Sequence, residues 1–229
     1  MNRSIDEDKT LEHLKMLQGR YSTTSYRKRV YQIRKFLLFL KVDWAKDIGP
    51  PAEPEYIPKR VTSSMIYDTL SYFKNSRYIG LVKAIIFLGS SSGIRPEEIY
   101  QLDFKDIDID NRIVYINHNP SIGQSTKKKT SRVSFFNNEA RDVLKVYLDS
   151  CIGLSRPFNK RLISKLFKDS PIRVKDLRKF FSQEWDRRGG PTSIKKILMG
   201  HSTKKDVDLM HYNYQNEEDL KRIYDKTMS

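Results

Sequence analysis

Apolar positions recur three or four residues apart along most of this chain and alternate in only one short region. The expected fold is therefore mainly α with a small antiparallel sheet. Residues 5–18 put Leu11, Leu14 and Leu17 on one side, with Gly19 placed to end the helix. A second helix is predicted over residues 24–41 with Thr24 as its N-cap. Tyr26, Val30, Ile33, Leu37 and Leu40 form its apolar stripe, and Arg27, Lys28, Arg34 and Lys35 crowd the rest. Residues 48–59 hold four prolines and no periodicity, which reads as a semi-rigid linker. The expected organisation is a short helical arm over 1–47, a linker over 48–59 and a main domain over 60–229.

The main domain opens with a capped helix near 63–74, carrying Ile66, Leu70 and Phe73. A nearly all-apolar run over 78–88 ends in GSSSG and predicts a buried helix stopped by small residues. Pro96 suits a first helical turn with Glu97 and Glu98 behind it, so Arg95 falls at the cap. KDIDI and RIVYIN flank Asp110 and Asn111, a two-residue turn signal, and RVSFF follows after a polar loop. That pattern predicts three antiparallel strands, with Lys127, Lys128 and Lys129 projecting from a hairpin. Further helices are expected over 138–150, 159–168, 174–188 and 192–199, the last stopped by Gly200. A short helix over 207–212 and a final one over 216–226 complete the reading, without internal repeats.

With 229 residues the chain can build one full domain and a small appendage. Its 43 Lys and Arg against 28 Asp and Glu give a net charge of +15, which points to a polyanion. An anionic membrane surface would call for a basic amphipathic anchor or a lipidation signal, and MNRSIDEDKT offers neither. No apolar run reaches the roughly 18 residues of a membrane span, and no signal-peptide pattern is present. Nucleic acid is the expected partner. Cys151 stands alone, so one chain can build neither a disulfide framework nor a thiolate metal site. It reads as a small core or surface residue in a reducing compartment, the cytoplasm or nucleoid of a host cell.

Four segments carry the candidate chemistry: GIRPEEIYQLD from Gly93, VKDLRKFF from Val174, LMGH ending at His201, and HYNY from His211. Together they supply the arginine, lysine, arginine, histidine and late tyrosine needed to hold a phosphodiester and attack it. In this order and spacing they resemble the tyrosine recombinases, or phage-type integrases, over about residues 56–229. The arm and linker look like a reduced version of that family's core-binding domain. The short arm and Lys175 are similar to archaeal and archaeal-virus members.

The resemblance implies a site-specific recombinase that cuts DNA through a 3′-phosphotyrosyl intermediate. Arg95 matches the first catalytic arginine, Glu98 the acidic residue that steadies it, and Arg178 the second arginine. Rigid guanidinium forks bind two phosphate oxygens at once. Lys175 stands where the family usually has histidine, and as an ammonium it suits phosphate binding better than proton acceptance. Lys127 best fits the hairpin lysine that protonates the leaving 5′ oxygen, with Lys128 and Lys129 as close competitors or DNA contacts. His201 matches the histidine that donates to the scissile phosphate.

Tyr212 is the expected nucleophile and Tyr214 the alternative, since the family's usual tyrosine position is Met210 here and a two-residue insertion is needed. Arg27, Lys28, Arg34 and Lys35 of the arm are candidate DNA contacts. Neither cofactor nor metal is implied. The expected partner is double-stranded DNA, with four protomers assembled on it and a monomer or dimer when free. Two other readings share the fold: a noncatalytic DNA-binding regulator and a type IB topoisomerase-like relaxer.

Overall fold

The computed structural model describes residues 5–53, 55, 57–151, 153–201 and 215–228. The chain divides into two units, 1–59 and 60–229. In the first, α1 (Glu7–Arg20) and α2 (Thr23–Phe39) pack through Leu14, Leu17, Val30 and Leu37, and a 3₁₀ turn over Asp43–Asp47 adds Ala45. Two sequence expectations shift here. Helix α1 runs through Gly19, and Ser22 rather than Thr24 precedes α2. Leu11 and Leu40, expected in the apolar stripes, are exposed. Ile48 is buried in the same cluster, and Arg27 donates to the Pro51 carbonyl, so the proline-rich segment begins packed against the arm.

The second unit is built around α4 (Ile79–Ser92), from which Leu81, Val82, Ala84, Ile85, Ile86 and Leu88 are all buried. It packs against α6 (Asn138–Asp149) and α8 (Val174–Arg187), and also touches α3 (Ser63–Tyr72), whose N-terminus is capped by the Thr62 side chain. The helix runs through residues 89–92 and stops only at the last of the small residues, Gly93. Ser91 and Ser92 turn their hydroxyls back onto the Phe87 and Leu88 carbonyls, each at 2.6 Å, so buried serines sit in the helix without orphaned polar atoms. Small size also serves packing: a Cβ on Gly89 would lie 2.9 Å from Leu177 Cδ1 of α8. Helix α4 ends at Gly93, with φ of +64°, and the chain turns into the one-turn α5 (Pro96–Ile99) with Arg95 as its N-cap.

The sheet has the expected three strands, β1 (Ile107–Asp108), β2 (Ile113–Ile116) and β3 (Arg132–Phe135), antiparallel in that order. Val114 pairs with Ser134 and Ile116 with Arg132. The β1–β2 turn spans four residues instead of two, with Arg112 at φ +56°. Helices α7 (Lys160–Leu166), α9 (Thr192–Leu198) and α10 (Glu217–Met228) complete the unit, and Cys151 is buried. Phe135, Ile194, Leu198, Leu220 and Tyr224 join β3, α9 and α10 in a second core cluster. The helix expected over 207–212 lies outside the described residues.

Gly93 is the position where both backbone and space demand glycine: a Cβ there would meet Phe181 Cδ1 at 2.2 Å. Gly93→Ala combines a left-handed conformation with overpacking and should cost about 2–5 kcal/mol. Urea unfolding followed by circular dichroism should show a lowered midpoint; an unchanged midpoint would contradict this account of the helix end.

Candidate active site

Pro96 at the first helical position and two glutamates in the first turn start α5 at Arg95, as the sequence predicts. Glu98 is 4% exposed, yet its carboxylate has four donors. Oε2 accepts from the Arg95 backbone N–H at 2.8 Å and from Arg132 Nη2 at 2.7 Å. Oε1 accepts from Arg95 Nη1 and Arg132 Nη1, both at 3.0 Å. Burial alone pushes the Glu98 carboxyl up. The hydrogen bonds and charge of Arg132, followed by those of Arg95, outweigh it and hold the group below its ordinary value. Arg95 therefore pairs with Glu98 and is aimed by it.

Arg132 was not anticipated. Its Nε donates to the Leu198 carbonyl at 2.9 Å, and Arg95 Nη2 donates to the Gly200 carbonyl at 2.9 Å, so two guanidiniums hold the end of α9. Gly200 has φ of +62°, and a Cβ there would fall 2.8 Å from Arg132 Cζ. The sequence signal was the two-residue period of a strand. Arg132 shares a face with the fully buried Ser134, so two polar residues point inward.

Arg178 comes from α8 and donates through Nη1 to the Gly93 carbonyl at 2.7 Å. Burial, then the charge of Arg95, pulls its guanidinium down to about 10, still protonated at neutral pH. Lys175 lies one helical turn before Arg178 and is exposed. His201 follows Gly200, its backbone N–H bonded to the Lys196 carbonyl at 2.8 Å. Desolvation, then the charges of Arg178, Arg95, Lys128 and Lys195, pushes its imidazole down to about 4. The residue as a whole stays exposed, so the convergence of positive charge is the informative cause. Arg95, Arg178 and His201 thus share one electrostatic environment, in which three guanidiniums surround a single carboxylate.

The hairpin lysines separate. Lys127 and Lys129 are exposed, whereas Lys128 is half-buried and is the one whose charge acts on His201. Gln124 and Thr126 are buried and bonded beneath the turn. In the arm, Arg34 donates to the Lys46 carbonyl at 3.0 Å and Arg27 to that of Pro51, so both hold the arm together, while Lys28 and Lys35 face solvent. Tyr212 and Tyr214 lie outside the described residues. Among the described residues, no three His, Cys, Asp or Glu are grouped to hold a metal.

The sequence profile of the phage integrase family matches residues 64–219. The tyrosine recombinase XerA of Saccharolobus solfataricus is 25% identical over 218 residues, which cover 92% of this chain and 70% of that protein. The crystal structure of XerA recombinase superposes with a TM-score of 0.51 at 17% identity, covering 96% of this chain and 81% of that one. The Tn1549 transposon integrase in complex with circular intermediate DNA gives 0.60 at 16%, covering 91% and 81%. XerH bound to its difH substrate before cleavage gives 0.60 at 15%, covering 98% and 68%. At these identities the structures establish a shared fold.

A depressed imidazole has a testable sign. The unfolded chain takes up a proton on His201 near pH 6.5, whereas the folded chain resists until about 4. His201 should therefore be neutral in the native protein at pH 5–8, and its contribution to stability should fall as pH drops from about 6.5 toward 4. NMR titration of the histidine ring protons, assigned with His201→Gln, should give a midpoint well below 6.5. A midpoint at or above that value would remove the converging charges from the picture.

Proposed function

The chain belongs to the phage integrase family, the tyrosine recombinases, and is a tyrosine-type site-specific DNA recombinase; from that premise we propose that it cleaves and rejoins double-stranded DNA through a 3′-phosphotyrosyl intermediate. The observation that carries the reading is the gathering of three residues: Arg95 donates to the carbonyl of Gly200, next to His201, and Arg178 donates to the carbonyl of Gly93, two residues before Arg95. A scissile phosphate would supply the missing anion. The guanidiniums of Arg95 and Arg178 take its nonbridging oxygens and offset charge as the phosphorus becomes pentacoordinate. Neutral His201 donates from its single ring N–H, and Lys175 adds a cation beside Arg178.

Tyr212, with Tyr214 as the alternative, supplies the phenolic oxygen. A bond forms from that oxygen to phosphorus while the bond from phosphorus to the 5′ oxygen breaks. The phenol gives up one proton, and the departing 5′ oxygen receives one from a lysine of the hairpin. Lys128 is favoured over Lys127 for this role, because its charge is the one that acts on His201. Rejoining reverses each step, so one phosphoester is exchanged for another and no nucleotide is consumed. The assembly proposed for strand exchange is a tetramer on two duplexes. In the arm, Lys28 and Lys35 are contacts to the DNA backbone, and on the hairpin Lys127 and Lys129 are.

Incubation with a nicked suicide duplex should trap a covalent adduct, and mass spectrometry of its peptides should place the nucleotide on Tyr212. Tyr212→Phe should abolish the adduct with DNA affinity largely kept; an adduct that persists moves the role to Tyr214, and no wild-type adduct on any duplex favours a noncatalytic binder.

Lys128→Ala should slow cleavage of the ordinary phosphodiester by about 10²–10⁴-fold, the usual worth of a general acid. A 5′-bridging phosphorothioate, whose thiolate leaves without a proton, should restore the rate. Selective rescue of Lys127→Ala instead would return the role to Lys127.

A further inference from the structure

The connection between β2 and β3 runs from Asn117 to Ser131, long for an ordinary hairpin and lacking an apolar core of its own, since Ile122 is 44% exposed. Hydrogen bonds hold it instead, and they converge on one buried carboxylate. Asp106, 2% exposed, follows α5 in the segment that also carries Gln101 and Asp103. Its Oδ1 accepts from Asn117 Nδ2 at 2.9 Å, and its Oδ2 accepts from Gln124 Nε2 at 2.6 Å and from the Asp103 backbone N–H at 2.8 Å. Gln124, 3% exposed, also donates to the Gln101 carbonyl at 3.1 Å, and the Ser125 N–H donates to Gln101 Oε1 at 2.6 Å. Arg156 fastens the same stretch, reaching Asp103 Oδ1 at 3.0 Å and the Ile122 carbonyl at 2.9 Å.

Two residues beyond Gln124 the lysine turn begins. Thr126 closes it: the Thr126 hydroxyl donates to the Thr130 carbonyl at 3.0 Å, and the Lys129 N–H donates to the Thr126 carbonyl at 3.0 Å. Lys129 takes a φ of +57° to complete the bend. Lys128 therefore stands on a turn whose near end is fixed by Gln124, and Gln124 is fixed by Asp106.

We infer that Asp106 and Gln124 are positioning residues for the hairpin lysine: by docking the loop onto the segment after α5, they set where its ammonium stands relative to Arg95. The physical requirement is strict, because a displacement of about 1 Å in a catalytic group can cost on the order of 10²-fold in rate. Both oxygens of Asp106 and the Nε2 of Gln124 are bonded, while Gln124 Oε1 is buried without a partner among the described residues. The precision comes from the bonded atoms, since moving the loop would leave those desolvated donors and acceptors unpaired as well. The inference rests on the reading that Lys128 is the general acid.

The test uses the full chain with two near-isosteric variants, Asp106→Asn and Gln124→Met, on paired nicked duplexes carrying either an oxygen or a sulfur at the 5′-bridging position. Each variant should cleave the ordinary diester about 10–100-fold more slowly and return to near the wild-type rate on the sulfur substrate, with DNA affinity unchanged. A damaged fold would slow both substrates alike, so equal loss on the two overturns the inference. A wild-type rate on the ordinary diester overturns it too. Lys128→Ala run beside them separates this inference from the reading beneath it. If Lys128→Ala is rescued and Gln124→Met is as fast as wild type, the clamp fails alone. If Gln124→Met is rescued and Lys128→Ala is not, the lysine assignment fails and the clamp serves a neighbouring lysine.

Discussion

Three guanidinium groups cannot be brought into one partly buried place without something to offset their repulsion, and in this protein that something is the Glu98 carboxylate. A lone buried carboxylate would be costly. Here four donors from Arg95 and Arg132 saturate it, and the net effect of burial and partners is a carboxyl held below its ordinary value. One negative charge is nonetheless too few. Burial first, and the unbalanced positive charge after it, draws Arg178 down to about 10 and His201 down to about 4. The fold itself thus holds the cations in place, which is the electrostatic preorganisation that the proposed attack on a phosphodiester would use.

The end of α4 is what brings the contributing elements together. A helix leaves its last carbonyls without intrahelical partners, and at this buried end other elements satisfy them. Ser91 accepts from the Tyr224 hydroxyl of α10 at 2.9 Å, Ser92 from the Ser134 hydroxyl of β3 at 2.7 Å, and Gly93 from Arg178 of α8 at 2.7 Å. Each bond serves stability and placement together. The C-terminal helix, the strand that carries Arg132 and the helix that carries Arg178 are indexed to the same few backbone atoms. The core that drives folding therefore also fixes the geometry of the site.

Much of this was legible in the sequence. Pro96 and the glutamates after it put Arg95 at a cap; strand alternation around Asp110 and Asn111 gave the sheet, though its turn proved two residues longer than expected. Local signals of that kind survive folding because they are short-range backbone chemistry. What escaped detection depended on distant partners. The serines of GSSSG read as breakers, yet burial and back-bonding carry α4 through them, and α1 runs one residue past the exposed Gly19. Arg132 looked like one more basic residue because its partners, Glu98 and Leu198, come from α5 and α9. Arg27 and Arg34 read as DNA contacts on composition alone, and nothing in the sequence signalled that each also donates to a backbone carbonyl, of Pro51 and Lys46 respectively. Among the three adjacent lysines the sequence favoured Lys127, whereas in the fold Lys128 is the one of them whose charge reaches His201.

The hairpin shows how these constraints combine. Its near end is pinned where Gln124 meets Asp106, and its far end where Arg132 meets Glu98. Both acceptors belong to the stretch that begins at Arg95, so the seven residues between Gln124 and Arg132 are bounded by two attachments to one body. Closing so short a segment between fixed points leaves little conformational freedom to lose later. A polar surface loop would ordinarily have to be ordered by its ligand, at an entropic cost of roughly 1–2 kcal/mol per residue fixed. In this protein much of that ordering is already present in the fold, and the position of the lysine relative to the arginines follows from two buried carboxylates: Asp106, which pins the hairpin, and Glu98, which pins it through Arg132 and also holds Arg95.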